Sequence, residues 1–298
     1  MKETQWTHLS LKGMVSAFEQ HGIKISTYIV RYLLKIYRYG LRKMVKSEVT
    51  GNNTDRNAQF EYINSLLTTK KADPNVVILS IDSKKKENLG TLYRQGKVYT
   101  KSALAVFDHD YPNLSEGKVI PHGIYNLVTN QCYMNLGISH DTAQFARDSL
   151  IAWWDNEGSK LYATATEIVL LSDGGGSNRS SGYLYKQAIQ EFANHTQINI
   201  RICHYPPYCS KYNPIEHRAF PHITRAISGV VLDTVDTIKQ LIEQKATTKQ
   251  GFTTKVNIID KLYETGKTVA QEVIDTMQII VDKTLGKWNY LIKPIPNI

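Results

Sequence analysis

The chain has few cysteines: Cys132, Cys203 and Cys209 are an odd number among 298 residues, with no C-x-x-C pair. That excludes a disulfide framework and a cysteine-built zinc site, and it fits a reducing cytoplasm. Long apolar runs are missing as well. None approaches the roughly 18 to 20 residues of a bilayer span, and the amino end has no signal-peptide stretch, so a soluble cytoplasmic protein without a membrane partner is expected. Proline and glycine are sparse, at 9 and 18 residues, beside 42% hydrophobic and 21% charged residues, which excludes whole-chain disorder. No H-E-x-x-H, G-x-S-x-G, G-K-[ST] or G-x-G-x-x-G occurs. Zinc hydrolysis, serine-esterase chemistry and the common nucleotide loops therefore lack their signatures.

What is present is positive charge, unevenly placed. Residues 1 to 50 hold 9 Lys/Arg against 3 Asp/Glu, or +6 of the formal +9. A basic end on a nearly neutral body suggests contact with a polyanion, nucleic acid first. Leu11, Met14, Val15 and Phe18 have the spacing of an amphipathic helix that Gly22 can stop. Ser26 then suits an N-cap for a second helix, with Ile29, Val30, Leu33, Leu34 and Tyr37 as its stripe and Gly40 as its terminator. Arg31, Lys35 and Arg38 flank that stripe, followed by Arg42, Lys43 and Lys46. This pattern suits a helix-turn-helix segment over residues 1–47, with Arg31, Lys35 and Arg38 as DNA contacts. The plainer reading of the same residues is a helical hairpin with a solvated basic face.

Residues 47 to 58 are polar and turn-rich, and 59 to 72 read as helical, so 48–75 is expected to be a linker and helix ahead of a larger body at 76–298. Val76 to Asp82 and Glu167 to Asp173 are β-rich runs too continuous for exposed strands, and each ends in aspartate. Between them, Gly123 to Val128 and Cys132 to Ile138 read as a hairpin, and a helix follows from about Asp141 with Trp153 and Trp154 as core residues. A helix over 182 to 194, a strand over 198 to 203 and a helix near Asn213 complete the pattern, and further helices are expected near 234 to 245 and 269 to 280. The order resembles a ribonuclease-H-like α/β fold, a mixed sheet flanked by helices.

Asp82 and Asp173 end buried strands and Glu216 begins a helix, positions that converge at one edge of an open sheet. Three close carboxylates repel unless cations neutralise them, and hard oxygen donors suit Mg²⁺ or Mn²⁺. Two such ions roughly 3.5 to 4 Å apart serve an attacking and a leaving oxygen at phosphorus. Lys84, Lys211 and Arg218 lie close by in sequence to meet a phosphate backbone. Each acid also has a structural reading: aspartate is common in turns, and Asn213 as N-cap with Pro214 at N1 would let Glu216 complete a capping box. The glycines after Asp173 permit close backbone approach or simply form a loop. Of the histidines, His204, His217 and His222 lie nearest these acids, with His217 beside Glu216.

These residues fall within longer matching segments: DRNAQFEYIN (55–64), SIDSKKKENLG (80–90), PHGIYNL (121–127), SHDTAQFA (139–146), SDGGGSN (172–178) and PPYCSKYNPIEHR (206–218). On these the chain resembles the DDE transposases of bacterial insertion sequences, of the ISAzo type, over residues 5 to 295. The resemblance implies that Asp82, Asp173 and Glu216 are the catalytic, metal-binding triad. It implies hydrolysis at the element's ends, then attack of a 3′-hydroxyl on target DNA, with double-stranded DNA as partner and a homo-oligomer on it in the bacterial nucleoid. The family pattern also implies a longer amino-terminal DNA-binding region. The second reading is accordingly a DNA-binding derivative of such an element that does not cleave, and the third is another ribonuclease-H-like nuclease.

Overall fold

The computed structural model describes residues 7–42, 55–107, 112–175 and 182–296. The chain divides into two compact units, residues 1–52 and 53–298.

The first unit holds α1 (Leu11–Gln20) and α2 (Thr27–Ile36). Ser10 Oγ accepts from Gly13 N–H at 3.1 Å and Ser26 Oγ from Ile29 N–H at 3.3 Å, so each helix starts on a serine cap. Gly22 takes φ +75° in the turn between them, a left-handed conformation that glycine adopts without steric cost. α2 ends earlier than its stripe predicts. Tyr37 is its C-cap and Arg38 takes the left-handed turn at φ +59°, two residues before Gly40. Arg31 and Lys35 are thus exposed on the helix, whereas Arg38 lies beyond it. Lys43 and Lys46 lie outside the described residues.

In the second unit α3 (Arg56–Lys70) leads into β1 (Val76–Ser83), β2 (Glu87–Leu89), β3 (Gly117–Asn126) and β4 (Gln131–Gly137). Next come α4 (Ala143–Trp153), which runs through a π-turn into α5 (Ser159–Leu161), then β5 (Glu167–Asp173), α6 (Tyr183–Thr196) and β6 (Asn199–Tyr205). α7 (Pro214–Arg218), α8 (Phe220–Ala226), α9 (Val235–Lys245), β7 (Thr253–Ile259), α10 (Gln271–Thr276), β8 (Ile279–Val281) and β9 (Asn289–Ile292) complete it. The sheet order is β7-β4-β3-β1-β5-β6-β9-β8, with β2 paired to β3. β1, β3 and β4 form an antiparallel meander, while β5 and β6 run parallel to β1. This is the ribonuclease-H-like arrangement.

Alternation along the strands divides the core between two faces. Val77, Leu79, Ile81, Leu170 and Ile202 pack with Leu150 of α4 and Tyr185, Ile189 and Phe192 of α6. On the other face Ile78, Val169 and Leu171 meet Ile63 of α3, and Met134, Leu136 and Val256 meet Ile215, Phe220, Ile223 and Ile242. Trp153 is buried in the first of these cores. In the last 70 residues α9 (Val235–Lys245) fills the helix expected near 234 to 245, and the segments after it supply strands to both sides of the sheet: β7 lies parallel to β4, and β9 lies antiparallel to β6. Of the helix expected over 269 to 280, α10 occupies only Gln271–Thr276, and Ile279–Val281 is a strand.

Candidate active site

Asp82 and Asp173 come together through strand register. β1 and β5 pair in parallel from Val76 opposite Glu167 to Ser80 opposite Leu171. Carried two residues further, the same offset sets Asp82 level with Asp173, and alternation points both to one face. Glu216 arrives from α7. Asn213 and Pro214 take the expected N-cap and N1 positions, but Asn213 makes no side-chain cap bond. Glu216 is turned to Asp82, with which it shares a hydrogen bond, so the capping-box reading does not describe it.

The electrostatics follow from this crowding. Asp82 is 7% exposed, and burial, then Asp173 and Glu216, push its pKa from 3.8 up to about 8. At neutral pH it therefore keeps a proton and donates it to Glu216. Burial raises Asp173 as well, against an opposing hydrogen bond from Gly175 N–H, and burial and Asp173 together raise Glu216. Ser83 N–H donates to Asp82 Oδ1 at 2.8 Å. Gly123 faces Asp82 across β3, and a Cβ there would stand 2.6 Å from Ile215 Cδ1. Only glycine leaves α7 this close to the strand.

Among the described residues, no three His, Cys, Asp or Glu side chains are already drawn in around one point as ligands. The donor set nevertheless fits a hard divalent cation, because the carboxylates share a proton where positive charge is wanted.

The cations named from sequence are placed differently from one another. Lys84 is nearly buried, 2.5 Å from Glu87 and near enough to Glu216 to lower its pKa, so it is already committed to carboxylates. Lys211 and Arg218 are exposed, and Lys211 Nζ lies 5.0 Å from the Tyr212 ring centre. His217 is exposed beside Glu216, and His222 stacks on Phe252. His204 is fully buried, and burial drives its pKa down to about 4. Its ring nitrogens lie 3.0 Å from Ser172 Oγ, 3.2 Å from Asp173 O and 3.2 Å from Tyr290 Oη, so it buttresses the end of β5 and is not available as a ligand. Gly176, Ser177 and Asn178 lie outside the described residues.

A fourth acid, which the sequence marks only as the start of a helix, also reaches the site. Asp141, just before α4, accepts from Ser83 Oγ at 2.9 Å and helps to raise Asp173. His122, across β3 from Ser83, is equally unforeseen: it is fully buried, and burial drives its pKa down to about 4. Neither carries a local sequence signal, since only the pairing of β1 with β3 and the entry into α4 bring them beside Ser83.

A ribonuclease-H-like sheet with acids gathered at the ends of its central strands defines an enzyme of the polynucleotidyl transferase class. Residues 1–294 match the family described as the Rhodopirellula transposase DDE domain, and the chain belongs to that family of transposases. No curated protein matches the sequence. Solved structures that resemble it include the Mos1 transposase paired-end complex with left transposon end, at 13% identity and TM-score 0.48 over 85% of this chain and 75% of that one. Another is the Mos1 mariner paired-end complex with Mn, at 12% identity and TM-score 0.48 over 85% and 76% of the two chains. The catalytic domain of Mos1 mariner transposase matches at 14% identity and TM-score 0.43 over 70% and 88%.

Proposed function

We propose that Asp82, Asp173 and Glu216 together hold divalent cations, Mg²⁺ or Mn²⁺ and two in number, and that the chain cuts DNA at the ends of its element and joins the freed 3′ end to target DNA. The observation that carries this is the level placement of Asp82 with Asp173, with Glu216 close enough to share the Asp82 proton. Bound there, the cations would activate the attacking oxygen and stabilise the leaving oxygen at the scissile phosphorus. Asp82 gives up its proton as positive charge replaces it, Ser83 N–H and Gly175 N–H hold the two aspartates in place, and His204 fixes the backbone of Asp173. The exposed Lys211 and Arg218 supply phosphate contacts beside the site. Double-stranded DNA is the partner, bound by a homo-oligomer. No helix among the described residues is long and apolar enough to cross a membrane.

The test is nicking of a supercoiled plasmid that carries the DNA flanking the coding sequence on both sides. Nicking in Mg²⁺ is expected to stop with EDTA, return with Mn²⁺ and be lost in Glu216→Gln. Persistence in EDTA, or in Glu216→Gln, would overturn the assignment. DNA affinity without nicking in either metal selects the non-cleaving derivative instead.

Arg31, Lys35 and Arg38 are the proposed DNA contacts of the first unit, and the two on α2 are exposed. Arg31→Ala and Lys35→Ala are each expected to weaken binding to all duplexes alike and to reduce the slope of log affinity against log salt by about 1. An unchanged slope in both variants would remove them from the interface.

A further inference from the structure

The turn carrying Glu216 is fastened to the strand carrying Asp82 by one buried hydroxyl. Ser80 Oγ donates to Asn213 Oδ1 at 2.5 Å and accepts from Ile215 N–H at 2.9 Å. Asn213 Nδ2 in turn donates to Ile81 O at 3.0 Å, and the same side chain hydrogen-bonds Asp82. Ser80 and Asn213 are both 0% exposed. Ser80 is the one polar residue in the run from Val76 to Ile81, a position where an unsatisfied hydroxyl would be costly, and here each of its hydrogen-bonding functions is used. It lies two residues before Asp82 and so on the same face of the sheet.

α7 needs such a fastening. It has five residues, too few for its own hydrogen bonds to fix its direction, and its N-cap side chain is spent on the strand rather than on the helix. Gly123 makes the approach possible by leaving the space that Ile215 fills. Asp82 and Glu216, far apart in the sequence, are therefore set against each other by contacts of Ser80 and Asn213 made in addition to their own hydrogen bond.

We propose that Ser80 and Asn213 are positioning residues of the cation site, setting Glu216 against Asp82 so that both can serve a divalent cation. This rests on the reading of the three acids as cation ligands. Groups that orient ligands typically change metal affinity by about 10–100-fold when removed.

The test is Mn²⁺ titration of the full chain followed by the electron paramagnetic resonance signal of free Mn²⁺, with circular dichroism to establish folding. Ser80→Ala and Asn213→Ala are expected to weaken Mn²⁺ binding about 10–100-fold, and Ser80→Thr, which keeps the hydroxyl, to restore most of it. The double variant is expected to bind no more weakly than the weaker single one, because both changes break one network. If Ser80→Ala does not fold, Ser80→Cys carries the test, since it keeps the shape but bonds weakly. Glu216→Gln is run beside them. If it loses Mn²⁺ while folded Ser80 and Asn213 variants bind as the wild type does, the positioning role alone is overturned. If Glu216→Gln also binds normally, the cation reading of the acids falls and the positioning role falls with it. A lower melting temperature with unchanged Mn²⁺ affinity marks a purely structural contact and also overturns the proposal.

Discussion

Asp82→Asn is expected to abolish nicking and, in the same metal-free preparation, to raise the melting temperature at pH 8.5. The two effects have one cause. In the folded chain Asp82 holds its proton up to about pH 8, whereas in the unfolded chain it releases it near the ordinary 3.8. Between those values the unfolded state binds fewer protons, so stability falls as pH rises, and the full penalty stands above about pH 8. Asparagine removes the penalty. The gain should be several degrees at pH 8.5 and vanish below pH 3.8, where both states are protonated. Mn²⁺ should stabilise the wild type at pH 8.5 and do little for the variant. Activity moves the other way: loss of a cation costs several kcal/mol of charge stabilisation, or roughly a thousandfold in rate. Asp173→Asn and Glu216→Gln share the sign in both measurements, with a smaller thermal gain for Glu216 because water screens it more. Nicking by Asp82→Asn at the wild-type rate, or a lower melting temperature at pH 8.5, would sink the account.

The two aspartates were legible in the sequence for a simple reason. A buried parallel strand reads as an unbroken β-branched run, and the acid that stops the run marks the sheet edge where strands of the same direction end together. β1 and β5 are of this kind. β7 is not: its first four residues alternate between exposed and buried, Thr254 and Val256 face inward, and the outward Thr253 and Lys255 break any continuous apolar run. β8 and β9 have only three and four residues, below the length at which a period is visible. Local rules also erred where tertiary contacts used the same residues. Asn213 has the identity and place of a helix cap, but its side chain is engaged 132 residues away at Ile81. Arg38 continues an i, i+4, i+7 series, but α2 stops before reaching it. Asp141 and His122 carried no local pattern, since only the pairing of β1 with β3 and the entry into α4 bring them beside Ser83.

Gln59→Ala is expected to be among the most destabilising single changes in the second unit, although Gln59 is a polar residue far from the carboxylates in sequence. α3 docks through Ile63, with Phe60, Leu66 and Leu67 partly buried beside it, and its one other buried residue is the polar Gln59. Gln59 Nε2 donates to His204 O and to Asn289 Oδ1, both at 2.9 Å, and Asn289 Nδ2 donates back to Gln59 Oε1 at 2.6 Å. The two side chains are 0% and 1% exposed, so truncating Gln59 strands Asn289 Oδ1 and His204 O away from water, while Asn289 Nδ2 keeps its bond to Leu285 O at 3.3 Å. At about 1–3 kcal/mol for each orphaned group, the loss is about 3 kcal/mol, or roughly 6–12 °C in melting temperature for a body of this size. Gln59→Leu combined with Asn289→Leu should recover part of that loss, since the two amides are then removed together and only His204 O loses a donor, and the non-additivity is the signature of the pair. A change of less than about 2 °C in Gln59→Ala would show that the pair contributes little. Because His204 lends its carbonyl to Gln59 and its ring to the backbone of Asp173, the variant should also lose nicking before it unfolds. α3 would then be a support of the catalytic strands rather than a passive connection to them.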